Sequence, residues 1–480
     1  MDQSEVVVLG AGPGGYAAAF LAADEGLQVT LVDLESRLGG VCLLRGCIPS
    51  KALLYVARVI HDAEALRAWG VDFGKPQINL DQLRAQKEKV IATLTGGLSQ
   101  LAKKRNVRVI RARAQFVDAK RLRLEPVDGQ DPGLSELSFE RLILAAGSRA
   151  IRLSVFDHLG ELAMTSREAL DVPSVPDSLL VVGGGYIGLE LGTVYATLGS
   201  RVTVVEMTDG LLPGVDRDLV RPLEARLRKL FAGILLETKV VGAERVGDAV
   251  KVFLDGKNGK ESAVFSRVLV AVGRRPNSDL VGAERIGLRL TPQGFVDVDE
   301  YLQTSVPGIW AIGDIAGQPM LAHKATHQGK TAVENILGER VPFQPRAIPA
   351  VVFTEPEIAW TGLTESAAKS QGREIDVAVF PWGASGRAQA TGATDGFTKW
   401  VIDRSSGRVL GCGIVGAGAG DLIGEATLAV EMGAHIADVG GTIHPHPTLC
   451  ETLGMAAEVH LGLATDIYRP RATVAGRGSG

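Results

Sequence analysis

Cysteine is scarce in this chain, with four residues in 480, too few for a small fold stapled by disulfides. Aromatic side chains make up only 5% of the residues. Apolar stretches are short and broken by turn residues, so the sequence predicts no transmembrane helix. Neither sign of charge dominates: the net charge is −4, and basic residues form nothing longer than patches such as Lys103-Lys104-Arg105. Nucleic acid and membrane surfaces are therefore not expected partners. The amino terminus passes from Met1-Asp2-Gln3-Ser4-Glu5 straight into Val6-Val7-Val8-Leu9. It lacks the basic region and apolar core of a signal peptide, so a cytoplasmic location is expected. No metal site is expected.

Glycine is abundant, with 59 residues, in a chain too long for a single core. That profile suits a multi-domain α/β protein with tight loops. A β-branched run Val6–Leu9 leads into Gly10-Ala11-Gly12-Pro13-Gly14-Gly15, an Ala-rich helix, and a second strand from Gln28 ending at Asp33. Gly10, Gly12 and Gly15 fit the G-x-G-x-x-G pattern, which lets backbone approach a pyrophosphate at a helix amino end. Asp33 stands where an acidic residue meets a ribose hydroxyl. The arrangement recurs as Leu179–Val182, then Gly183-Gly184-Gly185-Tyr186-Ile187-Gly188, a helix, and Arg201–Val205 ending at Glu206. One copy alone is also compatible with a tight turn that binds nothing; two copies, each complete to its acid, predict two dinucleotide sites.

Between them a helical stretch is expected from about Lys51 to Lys104, followed by strands at Arg108–Phe116, Arg121–Leu124 and Leu142–Ala145. Strands at Val268–Val272 and Ile309–Ile312 each run into a glycine turn, Gly273-Arg274-Arg275-Pro276 and Gly313-Asp314, the position where open α/β sheets bind ligands. Beyond about Arg346 the pattern turns to antiparallel strands and helices, and no Gly/Ser-rich or Pro-rich linker marks the edge.

Two of the cysteines stand five apart in Gly39-Gly40-Val41-Cys42-Leu43-Leu44-Arg45-Gly46-Cys47-Ile48-Pro49-Ser50-Lys51. In a regular helix their Cα atoms would be roughly 8 to 9 Å apart, beyond the ~7 Å limit for a disulfide. A bridge requires the helix to be distorted or to begin here, as Gly46 and Pro49 favour. A helix starting near Cys47 would also lower that thiol's pKa. On the pair alone, a structural bridge or two unrelated buried thiols remain open.

These motifs together, with Ala271-Val272-Gly273-Arg274-Arg275-Pro276-Asn277, Ala311-Ile312-Gly313-Asp314 and His444-Pro445-His446-Pro447-Thr448-Leu449, resemble the dihydrolipoamide dehydrogenase family of pyridine nucleotide-disulfide oxidoreductases. The resemblance covers nearly the whole chain in the family's order. It implies two Rossmann-like dinucleotide-binding domains, for FAD and NAD, and an α+β carboxy-terminal dimerisation domain. The expected boundaries are 1–150 and 276–345 for the FAD domain, 151–275 for the NAD domain and 346–480 for dimerisation. It implies a homodimer acting on dihydrolipoamide, carried on a separate lipoylated protein of a 2-oxoacid dehydrogenase or glycine cleavage complex.

Residue by residue, the resemblance implies a redox-active Cys42–Cys47 disulfide, His446 as base and Glu451 as its partner, supplied by the other subunit. FAD would lie on Gly10, Gly12, Gly14, Gly15, Asp33, Gly40, Lys51, Ala114, Ser148, Asp314 and Ala322. NAD would lie on Gly183, Gly185, Gly188, Glu206 and Gly273. Lys51 is expected to pair with Glu190. His444 competes with His446 for the role of base. Two positions depart from the family pattern: Ala146 replaces a Thr, losing one hydroxyl, and Cys450 replaces a Ser directly before Glu451. Glutathione-type and mercuric reductases share the cysteine pair, and a non-catalytic flavin-binding scaffold or redox sensor is a further alternative. The Pro49-Ser50-Lys51 ending and a tail Gly476–Gly480 without paired cysteines favour lipoamide.

Overall fold

The computed structural model describes residues 2–257 and 259–468, so the tail at 476–480 lies outside the described residues. The chain divides into two compact units, residues 1–209 with 231–344, and residues 210–230 with 345–480.

The first unit holds two sheets that answer to the two glycine fingerprints. In the larger, strands Arg108–Arg111, Val29–Asp33, Asp2–Leu9 and Glu136–Leu144 run parallel side by side, and Ile309–Ala311 also pairs with Glu136–Leu144. An antiparallel extension, Arg121–Glu125 and Arg113–Asp118, completes it. Parallel strands are covered on both faces, and Val6, Val7 and Val8 are accordingly fully buried while their sides face two different apolar clusters. In the smaller sheet all pairings are parallel, in the order Gly233–Leu235, Arg201–Val205, Ser178–Val182, Arg267–Val270 and Ala163–Met164. A three-stranded antiparallel sheet, Lys239–Val246, Ala249–Gly256 and Gly259–Phe265, is inserted between its strands Gly233–Leu235 and Arg267–Val270.

The helical stretch expected from Lys51 to Lys104 is two helices, Cys47–Ala65 and Leu80–Lys104. Residues 70–79 between them carry Gly70, Gly74 and Pro76, which stop helix propagation. The single strand expected over Arg108–Phe116 is likewise two, with Ala112 at the break. Residues 40–69 are apolar and long enough to cross a membrane by composition. In the structure that stretch is interrupted at Gly46, and Cys42, Cys47, Ser50 and Lys51 line a cavity.

The second unit is built on an antiparallel sheet in the order Ala350–Val352, Glu357–Gly362, Val409–Gly416, Phe397–Asp403 and Ile375–Pro381. Helices Ala419–Met432 and Glu451–Leu461 pack their apolar faces into its core around Trp382 and Trp400. Residues 210–230 belong here, a correction to the expected 151–275 block. The reason is a buried charge cluster. Lys399, 1% exposed, donates to Asp216 at 2.8 Å and to both oxygens of Asp218 at 2.9 and 2.8 Å. Asp216 also accepts from the backbone N–H groups of Glu365 and Ser366. Burial acts to raise the Asp216 carboxyl, but the hydrogen bonds from Lys399 and Ser366 outweigh it and bring it down to about 2. Leu219, on helix Arg217–Leu230, lies against Gly413, where a side chain would collide with it.

Candidate active site

The two fingerprints are near copies in three dimensions. Gly10 donates to Val32 O and Gly183 to Val205 O, both at 2.8 Å. Their φ values are 109° and 110°, where an L side chain is strained. A Cβ on Gly15 would stand 1.8 Å from Gly10 O, and one on Gly188 would stand 2.2 Å from Gly183 O. These glycines are demanded by backbone packing. Gly12 and Gly185 differ, since a Cβ on either would meet nothing within 4 Å. Each opens toward free space at a helix amino end, the place where a pyrophosphate is held.

The acids that close the fingerprints are also equivalent. Asp33 accepts from the N–H of Ala11 and, at 2.7 Å, of Glu35. Burial holds its carboxyl above the usual range, against these backbone donors. Glu206 accepts from Gly184 N–H at 2.8 Å and from the N–H and hydroxyl of Thr208 at 2.8 and 2.9 Å. Each acid therefore braces its own glycine loop, a role the sequence motif does not announce.

The first fingerprint opens on a cavity of about 870 Å³. Gly10, Gly12, Gly14, Gly15, Asp33, Gly40, Lys51, Ser148, Asp314 and Ala322 line it, together with Cys42 and Cys47. Gly40 is fixed by close approach, its would-be Cβ falling 2.6 Å from Gly12 Cα. Ala114 does not line the cavity. It pairs with Leu124 and its side chain lies in the apolar core, because alternate residues of that strand face inward. Gly183, Gly185, Gly188 and Glu206 belong to the second fingerprint, and Gly273 lies two residues beyond Ala271, which a Cβ on Gly183 would meet.

The cysteine segment breaks where its glycine allows. Helix Gly40–Arg45 ends at Gly46 (φ −145°, ψ −113°), and helix Cys47–Ala65 begins with Cys47 as its first residue. Both cysteines are thiols in the structure. The hydrogen bond from the Cys42 thiol lowers Cys47 to about 7. Lys51, one turn on, adds its charge, and the Cys47 backbone N–H at the helix start contributes as well. Cys42 is pushed the other way by the same hydrogen bond and by burial. One thiol is thus prepared as a thiolate and the other as its proton donor.

Lys51 pairs with Glu190 at 3.0 and 2.9 Å. Glu190 is 3% exposed, and Ser50 donates to the same carboxylate at 2.8 Å. Sequence reasoning missed Ser50, although it precedes Lys51 and stands three residues after Cys47, on the same helix face. It also missed Arg274, which donates to Ser148.

In the second unit, His446 Nδ1 lies 3.0 Å from Glu451. The His446 side chain is 73% exposed and that of Glu451 is 8% exposed. Glu451 opens the helix Glu451–Leu461 and accepts also from Thr448 N–H. A carboxylate only accepts, so Nδ1 carries a proton, and in the neutral ring Nε2 is the nitrogen with a lone pair. His444 is different. Its Nε2 faces Glu425 at 2.8 Å, its Nδ1 faces Thr442 O at 3.0 Å, and its side chain is 8% exposed. Both its nitrogens face acceptors and its side chain is buried, so neither is open to a substrate thiol. Cys450 Sγ lies 3.1 Å from the Thr448 hydroxyl.

Two dinucleotide cradles and a thiolate-forming cysteine pair define a flavin- and nucleotide-linked disulfide oxidoreductase. Residues 4–329 match the pyridine nucleotide-disulphide oxidoreductase family, residues 348–457 match its dimerisation domain, and the chain belongs to this family. It is 47% identical over 471 residues to the dihydrolipoyl dehydrogenase of Vibrio parahaemolyticus, covering 98% of each chain. It is 43% identical to that of Haloferax volcanii, covering 96% of this chain and 97% of the relative. The crystal structure of LpdA from Mycobacterium tuberculosis superposes with a TM-score of 0.86 at 30% identity, over 95% of this chain and 99% of the other. The HOCl-induced flavoprotein disulfide reductase RclA from Escherichia coli gives 0.83 at 25% identity, over 94% and 98%. As a member of the family the chain is an oxidoreductase that works on a disulfide with FAD and NAD, and its dimerisation domain marks it as a homodimer.

Proposed function

We propose that this chain oxidises dihydrolipoamide to lipoamide and passes the electrons to NAD⁺. The observation that carries the reading is the Cys42–Cys47 pair beside Lys51 and Glu190 in the cavity of the first fingerprint. Identity to dihydrolipoyl dehydrogenases across almost the whole chain supports the choice of substrate.

The partner subunit's His446 takes a proton from the substrate dithiol at Nε2, while Glu451 holds the ring. The thiolate so formed attacks Cys42 of the oxidised pair. The Cys42–Cys47 bond breaks and Cys47 leaves as a thiolate, the state its surroundings favour. The second substrate thiol then attacks the substrate sulfur of the mixed disulfide, closing lipoamide and releasing Cys42, which regains a proton. Two electrons now reside on the cysteine pair. FAD would be held by Gly12, Asp33, Lys51, Ser148 and Asp314, and when bound it would supply two-electron chemistry between this pair and NAD⁺. On the nucleotide side, Gly183, Gly185, Gly188 and Gly273 would admit NAD⁺, with Glu206 meeting its adenosine ribose.

The reading extends to a lipoylated partner, a separate chain of a 2-oxoacid dehydrogenase or glycine cleavage complex, and to a cytoplasmic setting. Apart from residues 210–230, the domain limits of the FAD and NAD halves belong to the same proposal. A steady-state assay with dihydrolipoamide and NAD⁺ against glutathione disulfide and NADPH tests it. Turnover only with the first pair is expected, and turnover only with the second would overturn it.

A further inference from the structure

We infer that Arg274 is a positioning residue that transmits occupancy of the nicotinamide-nucleotide site to the flavin-binding carboxylate Asp314, through Ser148. The inference rests on the reading of the two fingerprints as dinucleotide sites. Arg274 Nε donates to Ser148 Oγ at 2.8 Å and Nη2 donates to Ser148 O at 2.7 Å. The guanidinium therefore grips one serine at two points in a fixed plane. Ser148, 3% exposed, has a single hydroxyl proton, and it goes to Asp314 Oδ2 at 2.5 Å. Arg274 itself is 4.0 Å from the same carboxylate oxygen. The chain of donors runs one way, from cation through hydroxyl to carboxylate, in a place sheltered from water.

Arg274, Ser148 and Asp314 all line the cavity of the first fingerprint, but the strand exit that carries Arg274 comes from the sheet of the second. Arg274 follows Gly273 at the exit of strand Arg267–Val270, and Ser148 follows Gly147 at the exit of strand Glu136–Leu144. The two exits pair as an antiparallel ribbon, with Arg274 opposite Ala150 and Pro276 opposite Ser148. On the nucleotide side, a Cβ on Gly183 would stand 2.5 Å from Ala271 O. The second fingerprint loop thus bears directly on the strand exit that carries Arg274. A nucleotide that orders the loop orders the exit, and with it the guanidinium, the serine and Asp314. Binding at either cofactor site then strengthens binding at the other by the same factor.

The test follows FAD release from the purified flavoprotein by the rise in flavin fluorescence, with and without saturating NAD⁺. In the unchanged protein NAD⁺ is expected to slow release by about 5-fold or more. In Arg274→Met, release without NAD⁺ is faster and the NAD⁺ effect falls to about 1-fold. Ser148→Ala, a smaller change, gives the same loss of coupling. Arg274→Lys restores only part of it, since an ammonium lacks the planar fork. A role confined to folding would speed release equally with and without NAD⁺ and leave the ratio intact, which would overturn the inference. So would NAD⁺-insensitive release in the unchanged protein. A protein unable to hold FAD at all would instead overturn the dinucleotide reading on which it stands.

Discussion

The Glu451 carboxylate lies 3.0 Å from Nδ1 of His446, while the neighbouring imidazole of His444 has an acceptor at each ring nitrogen. Two histidines two residues apart are thereby assigned different work. His446→Gln is expected to reduce dithiol turnover by a factor on the order of 10² or more, with His444→Gln costing far less. Steady-state kcat for the two variants decides it; equal losses would remove the assignment of His446.

Cysteine exchange divides along the same lines. In Cys42→Ser and in Cys47→Ser, FAD should remain bound, because the pyrophosphate cradle is formed by Gly12 and its neighbours, while dithiol oxidation is abolished. Flavin absorbance and turnover, measured on the same preparations, separate the two effects. Normal turnover in Cys47→Ser would end the proposed mechanism.

The Cys47 thiol of the reduced protein should titrate near pH 7. Its value is depressed by folding, so the thiolate and the stability it contributes are present above the ordinary thiol range and are lost as pH falls through about 7. Thiolate ultraviolet absorbance, taken as the difference from Cys47→Ser, should show this midpoint. Lys51→Met should move it upward by removing the neighbouring charge. A midpoint unchanged in Lys51→Met would contradict the electrostatic account.

Nucleotide choice turns on Glu206. If Glu206 meets the adenosine ribose as proposed, its carboxylate would repel a 2′-phosphate, and Met207, Thr208 and Asp209 after it provide no compensating arginine. NAD⁺ should be preferred over NADP⁺ by roughly 10²-fold or more in kcat/KM. Glu206→Gln should relax the preference, and because Glu206 also braces Gly184 and Thr208 it should lower kcat/KM for NAD⁺ too. Equal use of both nucleotides by the unchanged protein would defeat the assignment.

Stability of the second unit depends on Lys399. Lys399→Met leaves Asp216 and Asp218 without their cation and should cost about 3 to 5 kcal/mol. Chemical denaturation monitored by tryptophan fluorescence would report it, since Trp382 and Trp400 lie in that core. The Asp216 contribution is held above its ordinary carboxyl range and lost only as pH falls toward about 2. A variant as stable as the unchanged protein would contradict this.

The parts of the fold and site that the sequence made legible are those encoded by local spacing. Both fingerprints, their terminal acids and the helix start at Cys47 are short-range patterns with the expected local form, whereas the pairing of His446 with Glu451 came from the family resemblance. What escaped depends on residues far apart in the chain. Ser50 and Glu190 are 140 residues apart, Ser148 and Asp314 are 166, and Lys399 and Asp216 are 183. No periodicity marks such partners, because folding alone brings them together.

Residues 210–230 are read out between two strands of the nucleotide-binding sheet yet fold with the carboxy-terminal unit. The nucleotide-binding half is therefore not a cassette. An exchange of residues 151–275 between relatives would carry Asp216, Asp218 and Leu219 away from their Lys399 and Gly413, importing a foreign helix into the recipient's dimerisation unit. Successful chimeras should be those with junctions flanking 210–230, which leave that helix with its native host. In recombination among such enzymes, inheritance of this segment should follow the carboxy-terminal domain rather than the strands on either side of it.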